Sequence, residues 1–111
     1  MKLVSWNVNG LRSVLKKGAL EPVWALGPDL FCVQETKCQE SDLNGWVPEG
    51  YHSVYASAEK KGYSGTAIFS KRPLELVGRG MGVAHHDREG RILTVDAGAF
   101  FLVNVYVPNS Q

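Results

Sequence analysis

Sulfur is scarce in this 111-residue sequence, which has only two cysteines, Cys32 and Cys38. That is too few for the disulfide framework of a small secreted domain. Cys32 lies in an apolar, strand-like run, where a free thiol behaves as a small buried hydrophobe. Cys38 follows Lys37 in a predicted loop. Neither has a second Cys or His pair at ligand spacing, which argues against a structural zinc site. The expectation is two free thiols in a reducing, cytoplasmic setting. Net charge is also small, +1 at pH 7. It points neither toward nucleic acid nor away from it, because local clustering decides more than the sum. No apolar run approaches the ~20 residues needed to cross a bilayer, so no membrane partner is expected. One lysine precedes the first apolar run, without a signal-peptide core behind it. Repeats, low-complexity tracts and interdomain linkers are missing too.

What remains is globular in character, with 44% hydrophobic and 10% aromatic residues. A chain this size is long enough for one small domain, which would bury about two-thirds of its unfolded surface. The pattern is β-α-β first and mostly strands afterwards. Leu3 to Asn7 is the first predicted strand. Helices are predicted over Leu11 to Lys17 and from about Leu20 to Leu26, and Gly27-Pro28-Asp29 is a break. The short apolar run from Leu30 to Glu35 suits a strand buried on both faces. Further strands are predicted over Tyr51 to Ala56, Thr66 to Ser70, Leu74 to Val77, Arg91 to Asp96 and Phe100 to Val107. Ala97-Gly98-Ala99 is short enough to make the last two a hairpin. Several of these strands are apolar on both faces, yet only two helices are available to cover them. One sheet face is therefore expected to need a layer from elsewhere, either from more chain or from a partner.

Two stretches carry candidate chemistry: Ser5-Trp6-Asn7-Val8-Asn9-Gly10 and Gln34-Glu35-Thr36-Lys37. Each ends an apolar strand, and α/β folds collect their chemistry at the carboxyl edge of the sheet. If the two strands are neighbours, Asn7, Asn9 and Glu35 converge on one crevice. A carboxylate among carboxamides suits a hard divalent cation such as magnesium, which takes oxygen ligands and keeps several waters. Such a cation would in turn hold a phosphate. Read alone, Glu35 is a surface carboxylate paired with Lys37, and Asn7 is a turn-forming residue at a strand end.

Five segments come in one order: Trp6-Asn7-Val8-Asn9-Gly10-Leu11-Arg12, Gln34-Glu35-Thr36-Lys37, Gly62-Tyr63-Ser64-Gly65, Glu89-Gly90-Arg91 and Tyr106-Val107-Pro108-Asn109. Any one of them is weak evidence of kinship; the ordered series is strong. It resembles the exonuclease III family of apurinic/apyrimidinic endonucleases, within the endonuclease/exonuclease/phosphatase superfamily. The resemblance implies an α/β (α+β) fold of the DNase I-like type. That fold is a four-layered α/β sandwich of two mostly antiparallel sheets flanked by helices, built from two similar halves. Residues 1–111 match the first half. The family's later Asp-x-Asn motif, which orients the attacking water, and its terminal Asp-His pair do not follow Asn109. The resemblance therefore implies an N-terminal half whose C-terminal half is absent, in keeping with the uncovered sheet.

Residue by residue, the resemblance assigns Glu35 as the direct ligand of Mg2+, with Mn2+ as the alternative metal. Asn7 matches a hydrogen-bonding member of the catalytic network. Asn9 matches a position where some relatives carry Asp and act on the metal through water. Tyr106 and Asn109 match residues beside the scissile phosphate. Arg12, Lys17, Tyr63 and Arg91 match positions that touch DNA phosphates, contacts that supply affinity without reading sequence. Without the resemblance, Tyr106 reads as a core aromatic and the basic residues as solvated surface charge. The implied reaction is metal-assisted hydrolysis 5′ to an abasic site in double-stranded DNA. Exonuclease or 3′-phosphatase activity can accompany it. The half-length chain alone is expected to be inactive, with the missing half or a second copy as partner. The alternatives are another phosphodiesterase or phosphatase of the superfamily, or a self-associating structural half-domain without catalysis. His85-His86-Asp87 is expected to be a hydrated loop, and Trp24 and Trp46 are expected to pack.

Overall fold

Leu30-Phe31-Cys32-Val33 is apolar at every position, and the chain uses it as an interior strand, buried throughout. The computed structural model describes residues 1–80 and 88–108. In chain order the elements are β1 (Leu3–Asn7), α1 (Leu11–Lys16), α2 (Glu21–Ala25), β2 (Leu30–Gln34), a 3-10 turn (Glu40–Leu43), β3 (His52–Ala56), β4 (Thr66–Ser70), β5 (Glu75–Arg79), β6 (Ile92–Asp96) and β7 (Phe101–Val105). They form a four-stranded sheet of order β1-β2-β4-β3 and a three-stranded sheet of order β5-β6-β7. β1 and β2 are parallel, and the helical crossover between them makes that pairing accessible. The other pairs are antiparallel.

Alternation along β2 and β4 divides the core in two. Phe31, Val33, Ala67 and Phe69 point to the helices and join Leu11, Leu20 and Tyr55. Phe69 is the centre of that layer, with the rings of Trp24, Trp46 and Tyr55 edge-on within 6.1 Å. Both tryptophans pack, as the sequence suggests. On the opposite face Leu30, Cys32 and Ile68 meet Leu93 and Val95 of the second sheet. Pro22 opens α2, where its missing N–H would be unpartnered anyway.

Helix, sheet and sheet thus stack as three layers. Among the described residues, the outward side chains of the second sheet are exposed. Phe101 is 68% exposed, Val103 53% and, past the strand end, Val107 77%. Strand bounds shift slightly from the sequence expectation. The fifth strand is Glu75–Arg79, with a bulge between Leu76 and Gly78, and Leu74 instead packs between the sheets. No helix among the described residues is long and apolar enough to cross a membrane.

Candidate active site

Because β1 and β2 are parallel with Asn7 opposite Gln34, both strands end at the same edge. Backbone pairing continues beyond them. The amides of Val8, Gly10 and Leu11 donate to the carbonyls of Gln34, Glu35 and Thr36 at 3.1, 2.8 and 2.9 Å. From the other side, Thr36 and Lys37 amides donate to Gly65 and Ser64 carbonyls at 3.1 and 2.8 Å. These bonds hold Glu35 and Lys37 in the left-handed region, at φ 58° and 54°, where an ordinary residue is strained by about 1–2 kcal/mol. The glycines of two sequence segments follow from this packing. A Cβ on Gly65 would overlap Thr36 Oγ1, and one on Gly90 would overlap the Ala56-Ser57-Ala58 backbone.

Four side chains meet at this edge. Asn7 Nδ2 donates to Glu35 Oε1 at 3.4 Å, and the Asn9 amide donates to Asn7 Oδ1 at 3.0 Å. Lys37 Nζ lies 3.2 Å from Glu35 Oε2 and donates to Asn9 Oδ1 at 2.7 Å. The Glu35 side chain is 18% exposed. Burial pushes its carboxyl upward, but Lys37, Tyr106 and Asn7 together outweigh that and hold it below the ordinary range. Glu35 is therefore an anion at neutral pH. For Tyr106, burial and the nearby Glu35 carboxylate raise the phenol above its usual range, against the pull of Arg91. The phenol keeps its proton and acts as a donor.

The donor set can be tested against a metal. Asn9 Oδ1 and Glu35 Oε2 already converge on one cation, the Lys37 ammonium. Both are hard oxygen donors. Among the described residues no group of three or more His, Cys, Asp or Glu gathers anywhere. One carboxylate and one carboxamide fit magnesium or manganese that keeps several waters, and do not make a closed zinc or calcium cage.

The other residues singled out by the sequence divide into two groups. Arg91 and Tyr106 adjoin, with the Tyr106 amide donating to Arg91 O at 2.8 Å. Arg91 also pairs with Glu89. Tyr63, 42% exposed, carries Lys60 Nζ 5.4 Å from its ring centre and acts on the Tyr106 phenol. Arg12, exposed in the first turn of α1, reaches Lys37 O at 3.5 Å. Lys17 is exposed beyond α1, and its amide bonds within its own helix to Ser13 O. Asn109 and His85-His86-Asp87 lie outside the described residues.

Two residues at this edge carry no role in the sequence reading. Asn104 is 3% exposed in the middle of an apolar strand. Its Nδ2 donates to Val33 O at 3.0 Å and Ala67 O at 2.9 Å, and its Oδ1 accepts from Gln34 Nε2 at 2.8 Å. Gln34 Nε2 also donates to Ser5 Oγ at 3.0 Å. The available signal is the amide itself, since a polar residue in a buried strand needs partners.

The stacked sheets, with a strand-end carboxylate and carboxamides on one rim, have the form of a DNase I-like α/β nuclease fold. Residues 4–111 match the Endonuclease/Exonuclease/phosphatase family, and the chain belongs to it. It is 48% identical over 113 residues to the exodeoxyribonuclease of Bacillus subtilis, covering 100% of this chain and 44% of that protein. Against the DNA repair nuclease APEX1 of Danio rerio it is 46% identical over 116 residues, covering 100% of this chain and 37% of that protein. The crystal structure of an AP endonuclease from Leishmania major superposes with a TM-score of 0.74 at 36% identity, covering 98% of this chain and 40% of that one. The chain thus spans less than half the length of these relatives, which are hydrolytic nucleases.

Proposed function

We propose that this chain is the amino-terminal part of a magnesium-dependent DNA-repair nuclease that hydrolyses the phosphodiester 5′ to an abasic site. The observation that carries this reading is the convergence of Asn9 and Glu35 on one cation at the end of two parallel strands, with Asn7 bonded to Glu35. Glu35 and Asn9 would hold the metal, which when bound supplies charge neutralisation at the phosphate. Asn7 orients the Glu35 carboxylate through its Nδ2 donor. Tyr106, protonated beside Glu35, offers a hydrogen bond toward charge that develops on the phosphate. Arg12, Tyr63 and Arg91 surround that rim and favour a DNA backbone, with Lys17 just past the end of α1. Asn109 follows Tyr106 closely in sequence and is assigned to the same phosphate.

Residues 1–111 span less than half of the relatives they match, and by themselves they are expected not to turn over. The exposed row Phe101, Val103 and Val107 supports a covering layer from the remaining half of the same domain. A second copy is the other candidate, and sedimentation of the isolated chain distinguishes the two.

The test is a chimera in which residues 1–111 replace the matching segment of the Bacillus relative. With magnesium it should nick an abasic duplex, and Glu35→Ala should abolish nicking. A folded chimera that cuts unmodified and abasic DNA alike, or keeps turnover in Glu35→Ala, would overturn the proposal.

A further inference from the structure

Between the two sheets the contact is apolar, made by Leu30, Cys32, Ala56, Ile68, Leu93 and Val95. Such burial attracts without direction and does not choose how far one sheet slides along the other. Two strand residues of the second sheet do bond across it with direction: Arg79 Nε of β5 donates to Tyr55 O on the edge strand β3 at 2.6 Å, and Asn104 of β7 bonds to the interior strands β2 and β4. Asn104 spends both Nδ2 hydrogens on the carbonyls of Val33 and Ala67, residues that face each other across β2 and β4. Its Oδ1 takes Gln34 Nε2, which continues to Ser5 on β1. One side chain of β7 therefore grips two strands of the other sheet, β2 and β4, at fixed points and reaches β1 through Gln34.

We propose that Asn104 is a positioning residue that sets the register of the second sheet on the first, so that Tyr106 meets Glu35. Side chains two apart in extended chain share a face, and Tyr106, one residue past β7, continues the pairing through its amide to Arg91 O, so it follows Asn104 on the inward side. On β2, Glu35 immediately follows Gln34, the residue that Asn104 holds. A slide of β7 by two residues would bring Leu102 or Tyr106 to the two carbonyls, and neither can donate twice. Aspartate at 104 would set a carboxylate against those carbonyls, so the site selects an amide and not merely a polar group. The inference rests on the reading of Glu35 and Tyr106 as parts of one hydrolytic site.

The test uses the 111-residue chain with isotopic labels and Asn104→Leu, which keeps size and loses every bond. The nuclear Overhauser contact between the Tyr106 ring and the Glu35 side chain should fall at least about fivefold. Contacts inside each sheet, Val33 with Ala67 and Val95 with Leu102, should persist. A Tyr106–Glu35 contact of wild-type intensity, with only a lower melting temperature, would make Asn104 merely structural and overturn the proposal. Should Asn104→Leu fail to fold, Gln34→Met removes one of the three bonds and must still weaken the contact. In the chimera, Asn104→Leu should lower kcat by about tenfold or more, with KM within about twofold; unchanged kcat counts against positioning. If the unmutated chimera does not nick, the nuclease reading fails while the nuclear Overhauser result still decides the role of Asn104.

Discussion

Lys37 and Glu35 form an ion pair of 3.2 Å between two residues of one loop, both in left-handed backbone conformations. The same ammonium reaches Asn9 at 2.7 Å, so it occupies the space that a divalent cation would share. Removing it should leave the oxygen ligands intact while lifting a competing positive charge. Lys37→Met is expected to tighten magnesium binding by about two- to fivefold, the size of an exposed ion-pair effect. Isothermal titration checks this, and weaker binding would mean that Lys37 organises the ligands more than it competes with the metal.

Phe69 is fully buried and touches four aromatic rings. Truncation leaves a cavity that rigid neighbours cannot collapse into. Phe69→Ala should therefore destabilise the fold by about 3–5 kcal/mol, read as a lower denaturant midpoint. A loss below about 1 kcal/mol would show that the helix layer is loosely packed.

Gly90 combines φ 62° with close approach of the Ala56–Ala58 backbone: a Cβ there would lie 2.6 Å from Ser57 C and 2.8 Å from Ala58 N. Backbone yields less readily than a side chain. Gly90→Ala should cost about 1–3 kcal/mol and displace the neighbouring Arg91. Gly98→Ala, at φ 91° with open space around it, carries the backbone strain without the overlap and should cost less. Equal effects in denaturant melts would remove packing as the reason for the glycine in Glu89-Gly90-Arg91.

Stability should fall as solution becomes alkaline. Burial raises the Cys32 thiol from an ordinary 9.0 to about 11. Between those values the unfolded chain has released this proton and the folded chain keeps it. The unfolded state then binds fewer protons, so unfolding free energy declines with rising pH. The urea midpoint should drop from pH 8.5 to pH 10.5, and Cys32→Ala should flatten that slope. An unchanged slope in the variant would place the alkaline loss elsewhere, for instance at Tyr55, whose phenol burial also pushes up.

Much of this was legible in the chain because alternation and turn chemistry agree with the fold. The unbroken Leu30 to Val33 run announces a strand covered on both faces, and Gly27-Pro28-Asp29 marks its start. That Asn7, Asn9 and Glu35 meet at one edge is readable because strand ends are where acids and amides project. Two features were not legible. Local sequence does not reveal that Asn104 grips Gln34, since that contact spans 70 residues and depends on how two sheets stack. Nor does it show that Glu35 and Lys37 take left-handed backbone, a conformation imposed by bonds from Gly10 and to Ser64. Both are tertiary effects overriding local preference.

The most direct measurement is paramagnetic broadening by manganese in amide spectra of the chain. Substoichiometric Mn2+ should broaden the amides of Asn7, Asn9 and Glu35 first, and Glu35→Gln should abolish the effect. Broadening that begins elsewhere, or survives Glu35→Gln unchanged, would contradict a metal site at the end of the paired strands.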